Sequence, residues 1–186
     1  ELTLLVGPNG SGKSSVLDVL LALRQLLSGM AKVTDPGLFP TRSLTRWQSR
    51  NLQVFEVTVG LEGEADLTYR IEVEHERETR RARITLESLK AGQNFLFESR
   101  RGEVQLYRDN HSEGPTYSAD WSESPMARVA ARKDNRRLTR FLEMMRGVSV
   151  CALDPKRFLA ESLSEDPVLQ PDGGNLASWY RHQIQE

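Results

Sequence analysis

The stretch LTLLVGPNGSGKS, residues 2–14, decides the fold of this chain. Residues 2–6 form a short, continuously apolar run, which is typical of a strand buried on both faces of a parallel sheet. Residues 14–27 repeat leucine and valine at helical spacing and predict a helix with a broad apolar face. A buried strand, a glycine-rich turn and an apolar helix in this order predict an α/β fold.

The glycine-rich turn matches the Walker A pattern GxxxxGK[ST] at every fixed position. Glycine allows backbone conformations in which successive N–H groups point at phosphate oxygens, and the following helix adds its positive dipole end. Lys13 supplies a charge for the β- and γ-phosphates, and the Ser14 hydroxyl is a ligand for Mg²⁺. The turn therefore predicts binding of ATP with Mg²⁺. The residues predicted to bind the nucleotide are Gly7, Pro8, Asn9, Gly10, Ser11, Gly12, Lys13, Ser14 and Ser15.

Composition narrows the remaining classes of protein. The chain has 186 residues, a formal net charge of −1 and a single cysteine, Cys151. One cysteine excludes an intramolecular disulfide and a cysteine zinc site, which favours a reducing, cytoplasmic compartment. The longest apolar-rich run, residues 16–27, is interrupted by polar side chains and is too short to cross a bilayer. We therefore expect a cytoplasmic domain without a membrane segment or a signal peptide.

Residues 51–110 change from the helical period to a period of two. Apolar and polar residues alternate in five short segments that are joined by glycine-containing turns. This pattern predicts an inserted antiparallel β-meander with one packed face and one solvated face. Residues 111–125 are expected to form a loop, and residues 134–147 predict a helix with apolar residues on one side.

Asp154 is the one candidate for a catalytic or second metal-binding residue. Residues 148–153 predict a short apolar strand, and Asp154 would lie at its carboxyl end, where ligands bind in open α/β sheets. Pro155 follows instead of a second acid, so Asp154 is equally well explained as the start of a turn. Asn175 is expected to cap a final helix that runs to residue 186. Residues 1–33 and 148–186 together would form the nucleotide-binding core.

Several stretches resemble known ATPases. Residues 3–18 resemble the ABC-type ATPases of the RecF and SMC kind. The segments GEVQLY (102–107), TRF (139–141), LDP (153–155) and PDGGNLASWY (171–180) resemble a prokaryotic branch of predicted AAA-type ATPases, which is related to RecF and to the overcoming-lysogenisation-defect (OLD) proteins. The resemblance covers most of the chain, although only the Walker A segment is a specific chemical signature.

This resemblance implies that residues 1–186 are a single P-loop NTPase lobe, ABC-ATPase-like, and a fragment of a longer protein. The ABC signature and the Walker B acids would follow residue 186, so the fragment would bind ATP with little turnover. The family architecture implies a head-to-tail homodimer with a role in DNA repair or phage defence. Two alternatives remain: a nucleotide switch that regulates a separate nuclease or effector, and an ABC transporter subunit. A small-molecule kinase is disfavoured, because such enzymes rarely carry a long meander after the loop.

Two groups of basic residues are candidates for contact with DNA. The first lies on a predicted hairpin, where interleaved acids make a solvated turn the better explanation. The second lies near the predicted helix and is less interrupted. The three tryptophans are interpreted as packing residues. The first group is Arg77, Arg80, Arg81 and Arg83; the second is Arg132, Lys133, Arg136, Arg137 and Arg140; the tryptophans are Trp47, Trp121 and Trp179.

Overall fold

The computed structural model describes residues 6–44, 50–61, 63–79, 81–151, 154–159, 161–170 and 172–185. The chain divides into two compact units, one formed by residues 1–17 and 148–186 and the other by residues 18–147. The boundary differs from the predicted core of residues 1–33 and 148–186. Residues 18–33 belong to the larger unit because the second half of helix α1 (Lys13–Leu27) carries its buried leucines.

The larger unit is built on a six-stranded sheet in which each strand pairs antiparallel with the next one along the chain. The sequence predicted five strands, and the sixth lies in the stretch that was expected to be a loop. Gly114 and Pro115 hide this strand, because both residues are depleted from strands and indicate turns. The strands are β1 (Leu52–Val59), β2 (Leu67–Glu76), β3 (Arg81–Ala91), β4 (Asn94–Arg100), β5 (Glu103–Tyr107) and β6 (Glu113–Ser118).

One face of the sheet forms the core of the larger unit. Alternate residues of β2, from Leu67 to His75, are buried on this face, and the residues between them are half-buried. Helix α2 (Arg136–Gly147) packs here, and the ring of its Phe141 lies 5.5 Å from the ring of Tyr69 between centroids. The apolar period of two in the strand and the helical period in α2 thus meet in one core.

Strand β3 contains a one-residue irregularity that changes which side chains face the core. Its register against β2 pairs Glu72 with Leu86 and Val73 with Ile84, so Thr85 is an extra residue. An extra residue in one strand inverts the alternation on either side of it. Ile84 is therefore buried, Leu86 is only half-buried, and Glu87 is fully buried.

Helix α2 begins with a capping contact from a residue distant in sequence. The Asp109 carboxylate accepts hydrogen bonds from the backbone N–H groups of Arg136 (2.7 Å) and Arg137 (3.2 Å). These N–H groups are in the first helical turn, where no intrahelical acceptor exists and negative charge is favoured. Asp109 thus performs the task of an N-cap across 27 positions of sequence.

We expect Asp109→Ala to lower the free energy of unfolding by about 1 kcal/mol, as loss of a helix cap usually does. Urea unfolding followed by circular dichroism measures this change. Glu143→Ala, at an exposed position of the same helix, is the matched control and should change stability by less than about 0.5 kcal/mol. Equal effects of the two substitutions would contradict the capping role.

The smaller unit contains helix α3 (Leu176–Gln183) and short turns. Of the strand predicted at residues 148–153, residues 148–151 are described and are not in a strand, and residues 152 and 153 lie outside the described residues. Of the strand predicted at residues 2–6, only Val6 is described. A parallel strand needs neighbouring strands, and in the described part of the chain the sheet is antiparallel throughout. Within the described ranges no helix has the length and apolar character needed to cross a membrane.

The predicted cap of α3 is wrong. Asn175 is at the N-cap position, but its side chain makes no capping hydrogen bond. Its amide nitrogen donates to the Asp166 carboxylate (2.6 Å) and to the Val168 carbonyl (2.8 Å), and its oxygen accepts from the Gln170 backbone (2.7 Å). The side chain is fully used in ordering the preceding loop, so it is not available to the helix.

Candidate functional site

The glycine loop, residues 7–12, adopts backbone conformations that require glycine. Gly10 and Gly12 have φ angles of 81° and 87°. No heavy atom lies within 4 Å of a Cβ built at either residue, so the dihedral angle and not crowding selects glycine there. A Cβ on Gly7 would lie 2.8 Å from the Ser11 hydroxyl oxygen, so a larger residue there would require the Ser11 side chain to move.

The Lys13 side chain folds back onto the glycine loop. Its ammonium donates hydrogen bonds to the carbonyl oxygens of Gly7 (2.8 Å) and Pro8 (2.9 Å) and to the Ser11 hydroxyl (3.3 Å). The Ser11 backbone N–H donates to the Pro8 carbonyl (3.2 Å), which closes the turn. A full positive charge is therefore held against the loop by neutral carbonyl groups, without a carboxylate among these partners.

The loop leads directly into the first turn of α1, which begins at Lys13. The first turn contains no acidic residue, and Ser14 and Ser15 are exposed. Backbone N–H groups in a first helical turn lack intrahelical acceptors, and the helix dipole adds positive potential. The loop, the ammonium and the helix start together form an accessible arrangement of donors for an anion such as phosphate.

Asp154 has a local structural role in the described chain. Its carboxylate accepts from the Lys156 backbone N–H (3.1 Å) and caps the short 3₁₀ turn Pro155–Arg157. Its backbone N–H donates to the Asp172 carbonyl (2.9 Å), and Arg157 in turn donates to the Asp172 carboxylate (2.7 Å). These contacts correspond to the turn that the sequence offered as the alternative. No hydrogen bond or ion pair between described residues joins Asp154 to the glycine loop.

The turn around Asp172 and Asn175 is held together by carboxylates that favour their charged forms. Hydrogen bonds from the Val168 backbone and then from the Asn175 amide lower the pKa of Asp166. The Gly174 backbone N–H and then the Arg157 guanidinium lower the pKa of Asp172. Within the described ranges, no group of three histidine, cysteine or acidic side chains is placed to hold a metal ion. These acids are therefore engaged in loop structure.

Three of the five basic residues around α2 form ion pairs with neighbouring acids. Arg132 forms an ion pair with Asp134 (3.2 Å), and Arg140 (3.0 Å) and Arg137 (3.8 Å) share the Glu64 carboxylate. The other two members of the group, Lys133 and Arg136, are exposed. The structure thus adds Glu64 to a cluster that Asp134 already interrupts in sequence, which weakens its attraction for phosphate.

The sequence of the chain matches one family of known proteins. A family model described as "AAA domain, putative AbiEii toxin, Type IV TA system" matches residues 2–148, which include the glycine loop and the whole antiparallel sheet. The match supports a nucleotide-binding domain of the ATPase type. No curated protein matches the chain, and no solved structure does.

Proposed function

The chain belongs to the AAA-domain family of that description, and from this premise we propose that it binds ATP with Mg²⁺ through residues 7–15. The observation that carries the proposal is the Lys13 ammonium, which lies 2.8 and 2.9 Å from two carbonyl oxygens of the glycine loop at the exposed start of α1. A flexible lysine whose partners are neutral carbonyls can exchange them for the charged oxygens of a β- or γ-phosphate.

Each part of the site has a distinct task in this proposal. The N–H groups of the loop and of the first helical turn surround the phosphate chain. The exposed Ser14 hydroxyl is an oxygen ligand of the kind that Mg²⁺ prefers, and the ion would keep several waters. Ser15 is placed to donate to the α-phosphate. The Mg²⁺ would neutralise phosphate charge and orient the chain of phosphates.

We place hydrolysis outside the described residues. A water-activating group and a second Mg²⁺ ligand are needed for phosphoryl transfer, and Asp154 is engaged in a turn. The resemblance to RecF, SMC and OLD proteins favours a composite site in a head-to-tail dimer, with a part in DNA repair or phage defence. The toxin in the family description favours the alternative, in which nucleotide binding switches a separate effector. Both proposals require the same glycine loop.

We expect the 186-residue chain to bind a fluorescent ATP analogue saturably in the presence of Mg²⁺, with negligible turnover. Fluorescence anisotropy measures binding, and phosphate release measures turnover. Ser14→Ala should remove most of the Mg²⁺ dependence of binding while leaving metal-free binding unchanged, and Ser164→Ala, in the polar loop before α3, is the matched control. Sustained hydrolysis by the chain would contradict our placement of the catalytic acids, and absence of saturable binding would contradict the proposal as a whole.

A further inference from the structure

Two adjacent clefts in the larger unit share Trp121 and Arg83 as a common wall. The first has a volume of about 370 Å³ and the second about 250 Å³. The Trp121 residue is 43% exposed, so it does not have the packing role that the sequence suggested. Arg81 also lines the first cleft and Arg101 the second, which places a large aromatic ring among three arginines.

The main chain on both sides of Trp121 is fixed by hydrogen bonds. The Trp121 carbonyl accepts from the Ile84 backbone of β3 (3.0 Å). The next carbonyl, that of Ser122, accepts from the Val33 backbone (2.8 Å), and the Ser122 N–H donates to the Asp120 carboxylate (2.8 Å). An exposed indole on an anchored backbone loses little conformational freedom when a planar ligand stacks on it.

Positive charge exceeds negative charge along the two clefts. Arg83 is paired with Glu74 (2.7 Å), and Glu76, the other acid of the first cleft, accepts from the Thr79 hydroxyl (2.6 Å). Neither Arg81 nor Arg101 forms an ion pair with a described residue. Glu76 keeps its charge and lies opposite Arg81 in the strand register, so the two clefts together have three arginines against two glutamates, a net charge of +1. Guanidinium geometry suits phosphate oxygens.

The first cleft also contains a buried polar atom without a partner. His75 is 1% exposed and lines this cleft. Its Nε2 lies 2.8 Å from the Gln53 carbonyl oxygen, so Nε2 is the donor and Nδ1 is a bare acceptor. Nδ1 has no hydrogen-bond partner among the described residues. Burial, and then the neighbouring Arg77, lower the pKa of His75, which favours the neutral ring. Nδ1 is itself buried, on the face of the sheet opposite to Arg81 and Arg83, so His75 shapes the cleft wall and does not contact a ligand there.

We propose that Trp121, with Arg81, Arg83 and Arg101 beside it, binds single-stranded nucleic acid. Stacking of a base on an aromatic ring and contact of phosphate with arginine are the interactions that such strands use. A duplex is excluded from this mode because its bases are already stacked and paired. All residues of this surface belong to the larger unit, and the proposal does not rest on nucleotide binding at the glycine loop.

The test is fluorescence anisotropy of a labelled oligothymidylate of about 12 nucleotides with the full chain. Oligothymidylate forms little secondary structure of its own, so its bases are free to stack on Trp121. Trp121→Ala should weaken binding about tenfold, the effect of losing one stacked base, and Trp121→Phe should restore most of it. Arg81→Ala with Arg101→Ala should also weaken binding and reduce the slope of log K against log salt by about 1.4, because each phosphate contact on a single strand contributes about 0.7.

Lys133→Ala with Arg136→Ala, at the exposed basic residues of α2, is the matched control and should leave binding unchanged. Quenching of the tryptophan emission that is lost in Trp121→Phe reports stacking directly, even if the alanine variant folds poorly. The proposal is overturned if this emission is unquenched, if only the α2 variant weakens binding, or if duplex DNA binds as well as the single strand. It is also overturned if the chain binds no oligonucleotide, in which case the surface would serve a protein partner.

Discussion

Replacing Lys13 with alanine is expected to weaken Mg·ATP binding by about 100-fold, because the variant loses charge-assisted hydrogen bonds to phosphate. The Lys13 ammonium donates to the Gly7 and Pro8 carbonyl oxygens at 2.8 and 2.9 Å. It therefore already lies at the glycine loop, where we expect the phosphate chain to bind. The glycine loop supplies neutral N–H groups, which cannot replace a full charge beside the β- and γ-phosphates. Isothermal titration calorimetry with a non-hydrolysable ATP analogue measures the change.

The Lys13→Ala substitution removes a positive charge and also the hydrogen bonds that Lys13 forms within the loop. Two further variants separate these effects. Lys156→Ala, in the short turn of the same unit, removes an equal charge and should leave affinity within about twofold. Lys13→Arg keeps the charge but carries a planar fork in place of a compact ammonium, and it should bind more weakly than the wild type. Unchanged affinity in Lys13→Ala would refute the assignment of the glycine loop as the nucleotide site.

The stability of the larger unit is expected to fall by about 3 kcal/mol as pH rises from about 4.5 to 7, through ionisation of one buried carboxyl group. The Glu87 side chain is fully buried on the core face of β3. The hydroxyl groups of Tyr69 (2.9 Å) and Ser124 (2.6 Å) donate to the same carboxyl oxygen, and the Met126 N–H lies 3.5 Å from the other. Burial nevertheless raises the pKa of Glu87 from 4.5 to about 7.

The direction follows from proton linkage. Below pH 4.5 the carboxyl group is protonated in both the folded and the unfolded chain, so its contribution is constant. Between pH 4.5 and about 7 the unfolded chain releases the proton while the folded chain keeps it, and the free energy of unfolding decreases. Above about pH 7 both states are ionised and the curve is flat again. The folded state then contains a buried negative charge, which only three donors compensate.

Urea unfolding of the wild type and of Glu87→Gln between these pH values isolates this effect. Asp166 and Asp172 have pKa values lowered from 3.8, so their stabilising contribution is already present above that pH and is lost only at lower pH. The difference between the two proteins removes the contributions of the other titrating groups and is the relevant quantity. That difference should change by about 3 kcal/mol across the range. Glu143→Gln, at an exposed position of α2, is the control for loss of a carboxylate. Parallel curves for wild type and Glu87→Gln would show that Glu87 does not titrate in this window.

Local patterns predicted most of the elements of the larger unit. The period of two from residue 51 onward predicted the meander, and the apolar spacing of residues 134–147 predicted a helix close to the observed Arg136–Gly147. The sequence did not predict strand β6, because Gly114 and Pro115 are typical of a turn. Pairing with β5 overrides that local preference. The sequence did not predict the cap of α2, because Asp109 lies 27 residues before Arg136, whose backbone N–H donates to it.

Within the candidate site, too, the sequence predicts the local features and not those that depend on distant residues. The glycine loop is a run of adjacent residues whose dihedral angles and donors are local, so its chemistry could be predicted from the pattern alone. Asp154 could not be assigned in this way, because its role depends on contact with the turn around Asp172. The hairpin arginines and Trp121 gave no signal together, because nearly 40 residues of sequence separate them.

The sequence by itself predicted the phosphate-binding role that we propose for residues 7–15, and it determined the antiparallel character of the sheet and the apolar face of α2, because each depends on neighbours within a few positions. Only the tertiary structure decided that Glu87 is buried, that Trp121 shares clefts with three arginines and that Glu64 pairs with Arg137 and Arg140 of α2. The physical reason is that one extra residue in β3 inverts which side chains face the core, and that strand pairing and loop anchoring join residues far apart in the chain. The glycine loop is the feature that the sequence predicts in most detail. The environments of the charged side chains outside it depend on the folded chain.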